Sequence, residues 1–174
     1  MSGMTTTTDS PPASASNGEL IRWAFGQLNN RDATPLRRFW TDATVQRFPD
    51  KTCQGADEIL AYFNDIFTAI PDFHMEVVDL VEQGDHVFAQ WHLTGTHSGG
   101  PVQGIEATGK ALAIDGMDHF VMRDGKTVSN FIVFDQLQWA RQTGFLPEDG
   151  SAGDKLAKAA FNGKVKLQQR LKRS

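Results

Sequence analysis

The chain has a single cysteine, Cys53, among its 174 residues. No disulfide can close within it, and no multi-cysteine metal site is available. Long apolar runs are missing as well: a stretch such as Phe131 to Phe134 falls far short of the roughly 18 residues that span a bilayer. The five histidines show no i, i+4 pairing on a helix and no clustering with acids, so no metal is expected. Glycine loops that cradle phosphate and the spacing of a Ser-His-Asp set are also lacking, and Gly99-Gly100 is too short for the former. The N-terminus has no basic segment followed by an apolar one. These absences give the expectation of a cytoplasmic protein without a membrane partner.

Positive charge is scarce except at one end. Residues 151–174 carry seven Lys or Arg against one acid, Asp154, a net +6 that leaves the rest of the −4 chain at −10. An acidic body of that kind is a poor match for nucleic acid, so none is expected as a partner. What the chain does have is apolar and aromatic matter. Forty per cent of it is hydrophobic, with twelve Phe and four Trp but one tyrosine, Tyr62. That suffices for a self-supporting core in one domain.

The punctuation divides the chain in three. Residues 1–16, rich in Thr, Ser, Pro and Ala, read as a disordered lead-in. Residues 17–147 hold the periodic segments, and 148–174 form a basic extension with helical potential that Gly163 weakens. Asn17 reads as the N-cap of a first helix, whose stripe is Leu20, Ile21, Ala24, Phe25 and Leu28. A short helix follows Asp32, and Val45 to Phe48 reads as a short strand stopped by Pro49. Gly55 to Ile70 shows the clearest helical stripe, ended by Pro71. The period then drops to two over 73–82, 86–97, 111–122 and 127–134, with Asp124-Gly125 as the strongest hairpin signal. Gln136 to Gln142 reads as a short helix closed by Gly144. Helices first and long antiparallel strands after them mean α+β. A strongly twisted sheet of this kind encloses a cone with room for a small molecule.

Several motifs run in one order along this frame: Ile70-Pro71-Asp72-Phe73, Gly84-Asp85, Leu93-Thr94-Gly95-Thr96-His97-Ser98-Gly99, Gly116-Met117-Asp118-His119-Phe120, and Val133-Phe134-Asp135-Gln136. Together they resemble the SnoaL-like polyketide cyclase family over about residues 18–147. The resemblance implies the cone-shaped fold of nuclear transport factor 2 and ketosteroid isomerase. It also implies a homodimer, a hydrophobic small-molecule substrate, and ring closure by an aldol step without metal or cofactor. In that family the last strand reads like His-Trp-Asp ahead of the closing aromatic-Asp-Gln, and its Asp is the acid/base. Counting back from Asp135-Gln136, this chain has Asn130-Phe131-Ile132, so Ile132 stands at that position.

Strand alternation indicates which residues share a face. Ile114, Asp118 and Phe120 share one on their strand; Asn130, Ile132 and Phe134 share one on the next. If Ile132 faces the cavity, Asn130 does too. Asp118 is then the leading catalytic candidate, a carboxyl on an otherwise apolar face whose pKa burial would raise. It reads equally as a structural acid satisfied by neighbours. His92 is the second candidate, paired with Asp118, with Gln90 beside it to orient a carbonyl. The same strand also offers Val87, Ala89, Trp91 and Leu93 as a dimer surface, and sequence leaves open which set faces inward. Phe48 and Arg47 belong at the cavity mouth or wall, Arg47 being the one arginine placed near the cavity for the charged set used by epoxide-hydrolase relatives. Tyr62 is an oxyanion-donor candidate. The rival class is a non-catalytic binding or dimerisation module, favoured by Ile132.

Overall fold

The computed structural model describes Ser10, Pro11 and residues 14–172, so most of the lead-in at 1–16 lies outside the described residues. Helix α1 spans Asn17–Leu28, and its N-cap is Ser16 rather than Asn17. The Ser16 side chain accepts from Glu19 N while the Glu19 carboxylate accepts from Ser16 N, a reciprocal box that satisfies two otherwise orphaned donors. The sequence signal was one residue off because Asn17 and Ser16 are both competent caps. A second carboxylate, Glu82, settles the choice. It accepts from Ser16 Oγ at 2.7 Å, Gly18 N at 2.9 Å and Asn17 N at 3.1 Å. These donors hold the Glu82 carboxyl below its ordinary range, the Ser16 bond foremost, and pin α1 across strand β3 (His74–Gln83).

A 3-10 helix at Thr34–Phe39 follows, with Pro35 in its first turn. Two three-residue strands come next, β1 (Val45–Arg47) and β2 (Thr52–Gln54), before helix α2 (Gly55–Ala69). Strand β2 is too short to show periodicity and has no signal in the sequence. The long strands are β3, β4 (His86–Thr96), β5 (Ala111–Arg123) and β6 (Lys126–Phe134). Asp124 and Gly125 make the β5–β6 turn with φ of 51° and 68°, the left-handed pair a two-residue hairpin requires. Helices α3 (Gln136–Gln142) and α4 (Ala152–Leu171) end the chain.

The six strands form one curved sheet in the order β2-β1-β6-β5-β4-β3. Neighbours are antiparallel except β1 and β6, which run parallel with Val45 beside Ser129. The fold is therefore the α+β cone expected from the sequence. Along β4, Val87, Ala89, Trp91 and Leu93 are buried while Phe88 and Gln90 are exposed. The apolar set faces the core, so it is not the dimer surface that the sequence allowed. The buried apolar side chains lie between this inner face, α1, the 3-10 helix and α2.

Ser16→Ala removes the N-cap acceptor and one Glu82 partner together. It should destabilise the fold by about 1–2 kcal/mol, measured by urea denaturation.

Candidate functional site

The inner face of the sheet and the helices across from it leave a cavity rather than a solid core. The cavity volume is about 110 Å³. Its wall is almost wholly apolar. Ile21 and Phe25 come from α1, Leu36 and Phe39 from the 3-10 helix, Phe63 and Ile66 from α2. The sheet contributes Trp91, Ile114, Phe120, Ile132 and Phe134.

One carboxyl group belongs to this wall. Asp118 is buried on β5, directly across from Ile132 on β6. The Trp91 indole Nε1 donates to its Oδ1 at 2.9 Å, and the Asn130 amide Nδ2 donates to its Oδ2 at 2.9 Å. Local geometry explains both. Trp91 pairs with Gly116 across the β4–β5 ladder, and its ring lies where a side chain at 116 would be. A Cβ there would sit 2.2 Å from two ring carbons. With Gly116 bare, the indole leans along β5 and reaches the carboxyl two residues on. Asn130 pairs with Phe120 and meets Asp118 on the diagonal. Burial pushes the Asp118 carboxyl up to about 6, against the opposing pull of the hydrogen bonds from Asn130 and then Trp91. A carboxyl tuned to that value holds or releases a proton near neutral pH.

A second polar spot involves Tyr62. Its hydroxyl donates to Asp50 Oδ1 at 2.8 Å and is also hydrogen-bonded by the Gln103 side chain. Burial first, then the Asp50 charge, raises its pKa, so the phenol stays protonated. Phe48 stacks on the same ring, centroids 3.8 Å apart.

The structure thus brings Asp118, Asn130, Ile132, Phe134, Phe120, Ile114, Phe48 and Tyr62 to one cavity. Three expected residues go elsewhere. His92 lies on the outer face, where its Nδ1 meets Asp115 Oδ1 at 2.7 Å; it does not pair with Asp118. Gln90 is exposed on that same face because it alternates with buried Ala89 and Trp91. Arg47 also points outward, its guanidinium 4.8 Å from the centre of the Phe131 ring. The alternate residue on β1, Gln46, takes the cavity position instead. With Arg47 outside, the charged set of the epoxide-hydrolase reading has no arginine among the residues lining the cavity. Gln46, Gln103 and Trp139 also line the cavity without having been singled out, and so does Trp91, which the sequence offered for a dimer surface. For Trp91 the available signal was the facing glycine, Gly116, which becomes readable only once the β4–β5 register is known.

Comparison with known proteins agrees with this geometry. The profile of the SnoaL-like polyketide cyclase family matches residues 19–143. The chain belongs to that family. Among solved structures it is similar to AclR, a candidate hydroxylase from Streptomyces galilaeus. The identity is 20%, with 90% of this chain and 94% of that one covered and a TM-score of 0.68. A candidate SnoaL-like polyketide cyclase from Jannaschia sp. CCS1 gives 21% identity, coverage of 80% and 99%, and a TM-score of 0.69. IdmH, a candidate polyketide cyclase from Streptomyces antibioticus, gives 22%, 75% and 99%, and 0.64. At such identities the structures share the fold. No curated protein matches the chain in sequence. Among the described residues no helix is long and apolar enough to cross a membrane, and no group of three or more His, Cys, Asp or Glu could hold a metal ion.

Two substitutions test the site. Gly116→Ala should drive the indole off Asp118 and cost about 2–4 kcal/mol in chemical denaturation, from overpacking and a broken buried hydrogen bond. The folded value of Asp118 lies above its ordinary 3.8, so the folded chain holds the proton more tightly than the unfolded chain. Its contribution is then most favourable below about pH 4, falls as pH rises through about 6, and is level above. Against Asp118→Asn, wild-type stability should decline over that window by on the order of 2–3 kcal/mol, read from paired denaturation curves at pH 4 and pH 8.

Proposed function

We propose that the protein is a cofactor-independent enzyme that moves a proton next to a carbonyl of a hydrophobic compound, by aldol cyclisation or by isomerisation, with Asp118 as acid and base. The observation that carries this reading is a buried carboxyl, poised near pH 6, at the base of an apolar cavity. The family resemblance places the acid at position 132, where this chain has isoleucine. Asp118 is the direct neighbour of Ile132 on the next strand and faces the same cavity, so a carboxyl is offered one strand away.

The steps follow from that placement. The Asp118 carboxylate takes a proton from the carbon beside a carbonyl and leaves an enolate. In an aldol closure the enolate carbon attacks a second carbonyl of the same molecule, forming the ring bond, and the new alkoxide takes the proton back from Asp118. In isomerisation the proton returns to a different carbon. The aromatic wall orients a flat substrate, since ring closure depends on how the chain is folded before it reacts. Tyr62, as a protonated phenol, is a donor for a carbonyl oxygen near the Phe48 end of the cavity. The protein works as a homodimer, a reading supported by the exposed apolar side chains on the outer face of the sheet. The domain reading is retained: 17–147 forms the cone and 148–174 a basic extension.

Ile132 favours a second reading, in which the cavity holds an apolar ligand without turning it over. The experiment that separates them compares wild type with Asp118→Asn on a panel of polycarbonyl aromatic and steroid-like ketones, following turnover and ligand-induced thermal shift. The enzyme reading expects turnover in the wild type and a loss of about 10²–10⁴ in the variant with binding kept. It also expects kcat/KM to fall about tenfold per pH unit below roughly pH 6, as the base form is lost. Thermal shift in both proteins with turnover in neither would establish the binding module.

A further inference from the structure

Several polar side chains on the cavity wall are already engaged. The Tyr62 hydroxyl donates to Asp50, Thr127 Oγ1 reaches Met122 Sδ at 3.4 Å, and both Asp118 oxygens have donors. Two others, on neighbouring strands, are not. Gln46 on β1 is 3% exposed and lines the cavity, and its side-chain amide has no hydrogen-bonding partner among the described residues. Asn130 on β6 is equally buried; it gives its Nδ2 to Asp118 and leaves its Oδ1 unpaired. The two residues are direct neighbours in the parallel β1–β6 register, and both line the cavity. Buried polar atoms are costly when unmatched, so such a pair on a cavity wall marks where a ligand's polar group completes the set.

We infer that Gln46 and Asn130 form a hydroxyl-recognition subsite, so that the substrate is a hydroxy ketone rather than a plain ketone. The inference deepens the proposed function and rests on its placing the reacting carbon at Asp118. The two free groups decide the chemistry. Asp118, as a carboxylate, only accepts, so the Asn130 amide turns its nitrogen to it and its oxygen is left over as an acceptor. A ketone oxygen also only accepts: it suits Gln46 Nε2 but sets its lone pairs against Asn130 Oδ1. A substrate carboxylate has the same fault and adds a second negative charge beside Asp118. A hydroxyl meets both groups, donating to Asn130 Oδ1 and accepting from Gln46 Nε2. Two hydrogen bonds of about 2.8 Å that meet at one oxygen span about 4.6 Å, close to the spacing of about 4.8 Å between neighbouring strands.

The position of that hydroxyl follows as well. The Asn130 oxygen lies one amide group beyond the Asp118 carboxyl, so a hydroxyl bound to it lies within a ring's width of the carbon that Asp118 deprotonates. The alcohol, phenol or enol is then on the same ring as the reacting carbonyl or on an adjoining one. A pocket built to hydrogen-bond a hydroxyl discriminates against the analogue that lacks it, because its own buried groups then stay unpaired. Ile132 and the aromatic wall treat the two analogues alike. Gln46 is thus a specificity-determining residue, distinct in role from the acid.

Three matched naphthyl ketones test the subsite: 6-acetyl-2-naphthol, its methyl ether and 2-acetylnaphthalene, which differ only at the hydroxyl. Calorimetric titration of the wild type should give the naphthol an affinity at least tenfold above the other two, a comparison that needs no variant. In Gln46→Met, which keeps the side chain's length without its amide, that advantage should shrink to less than about threefold. Exchange of the acetyl methyl protons in deuterium oxide, followed by NMR, reads the proposed proton transfer separately. Equal affinity for the three ketones in the wild type, binding of none of them, or a preference that persists in folded Gln46→Met overturns the subsite. A hydroxyl preference without proton exchange keeps the subsite, as part of a binding module, and overturns the enzyme reading.

Discussion

A carboxyl group without a charged partner lies at the bottom of an apolar cavity, and much of the surrounding sheet is arranged around that circumstance. Removing a carboxylate from water costs several kcal/mol even after local relaxation. Asp118 meets this cost with two neutral donors, one from each neighbouring strand, and by taking up a proton more readily than an exposed aspartate. Each donor imposes a condition. The indole of Trp91 reaches the carboxyl only because Gly116 has no side chain, and Asn130 only because the β5–β6 register sets it on the diagonal. Slipping either strand by one residue would turn the donor to the outer face and leave the acid alone.

The same constraint separates the two faces of the sheet by function. Inward positions carry the aromatic wall, the acid and its donors. Outward positions carry the His92–Asp115 pair, the His86–His119 pair at 3.0 Å, and Arg47 over Phe131. These charged and imidazole pairs are thus kept where water can solvate them, and the carboxyl that faces the cavity has an environment that is specified closely.

Much of the fold was legible because its elements are long and punctuated. The α2 stripe ends at a proline, β5 and β6 meet at Asp-Gly, and α3 closes on Gly144, whose φ is +83°. Strand β2 was invisible because three residues carry no period. In the site, the cavity residues of β5 and β6 were readable through the position of Ile132, which fixed the inward face of two adjacent strands. On β4 no such anchor existed. His92 and Gln90 alternate with Trp91 as regularly as any cavity pair would, and only the packing of Trp91 on Gly116 decides between the sets. Arg47 failed for the same reason: neighbouring residues on a strand point to opposite sides, and position 46 rather than 47 is the inward one.

The parallel pairing of β1 with β6 joins residues 84 positions apart in the chain, Val45 with Ser129. Buried Thr44 Oγ1 bonds to Thr127 O at 2.7 Å and fixes the same junction. During synthesis, α1, α2 and the β3–β4 hairpin can gather once residue 96 has left the ribosome, since Ser16 and Asn29 find their partners Glu82 and Met75 within that length. The wall made by β1 and β2 has no strand to lean on until residue 134 has emerged. For that interval the nascent chain carries an open half-cone with its aromatic interior facing solvent. The half-cone therefore closes only late in translation, with the arrival of one nine-residue strand.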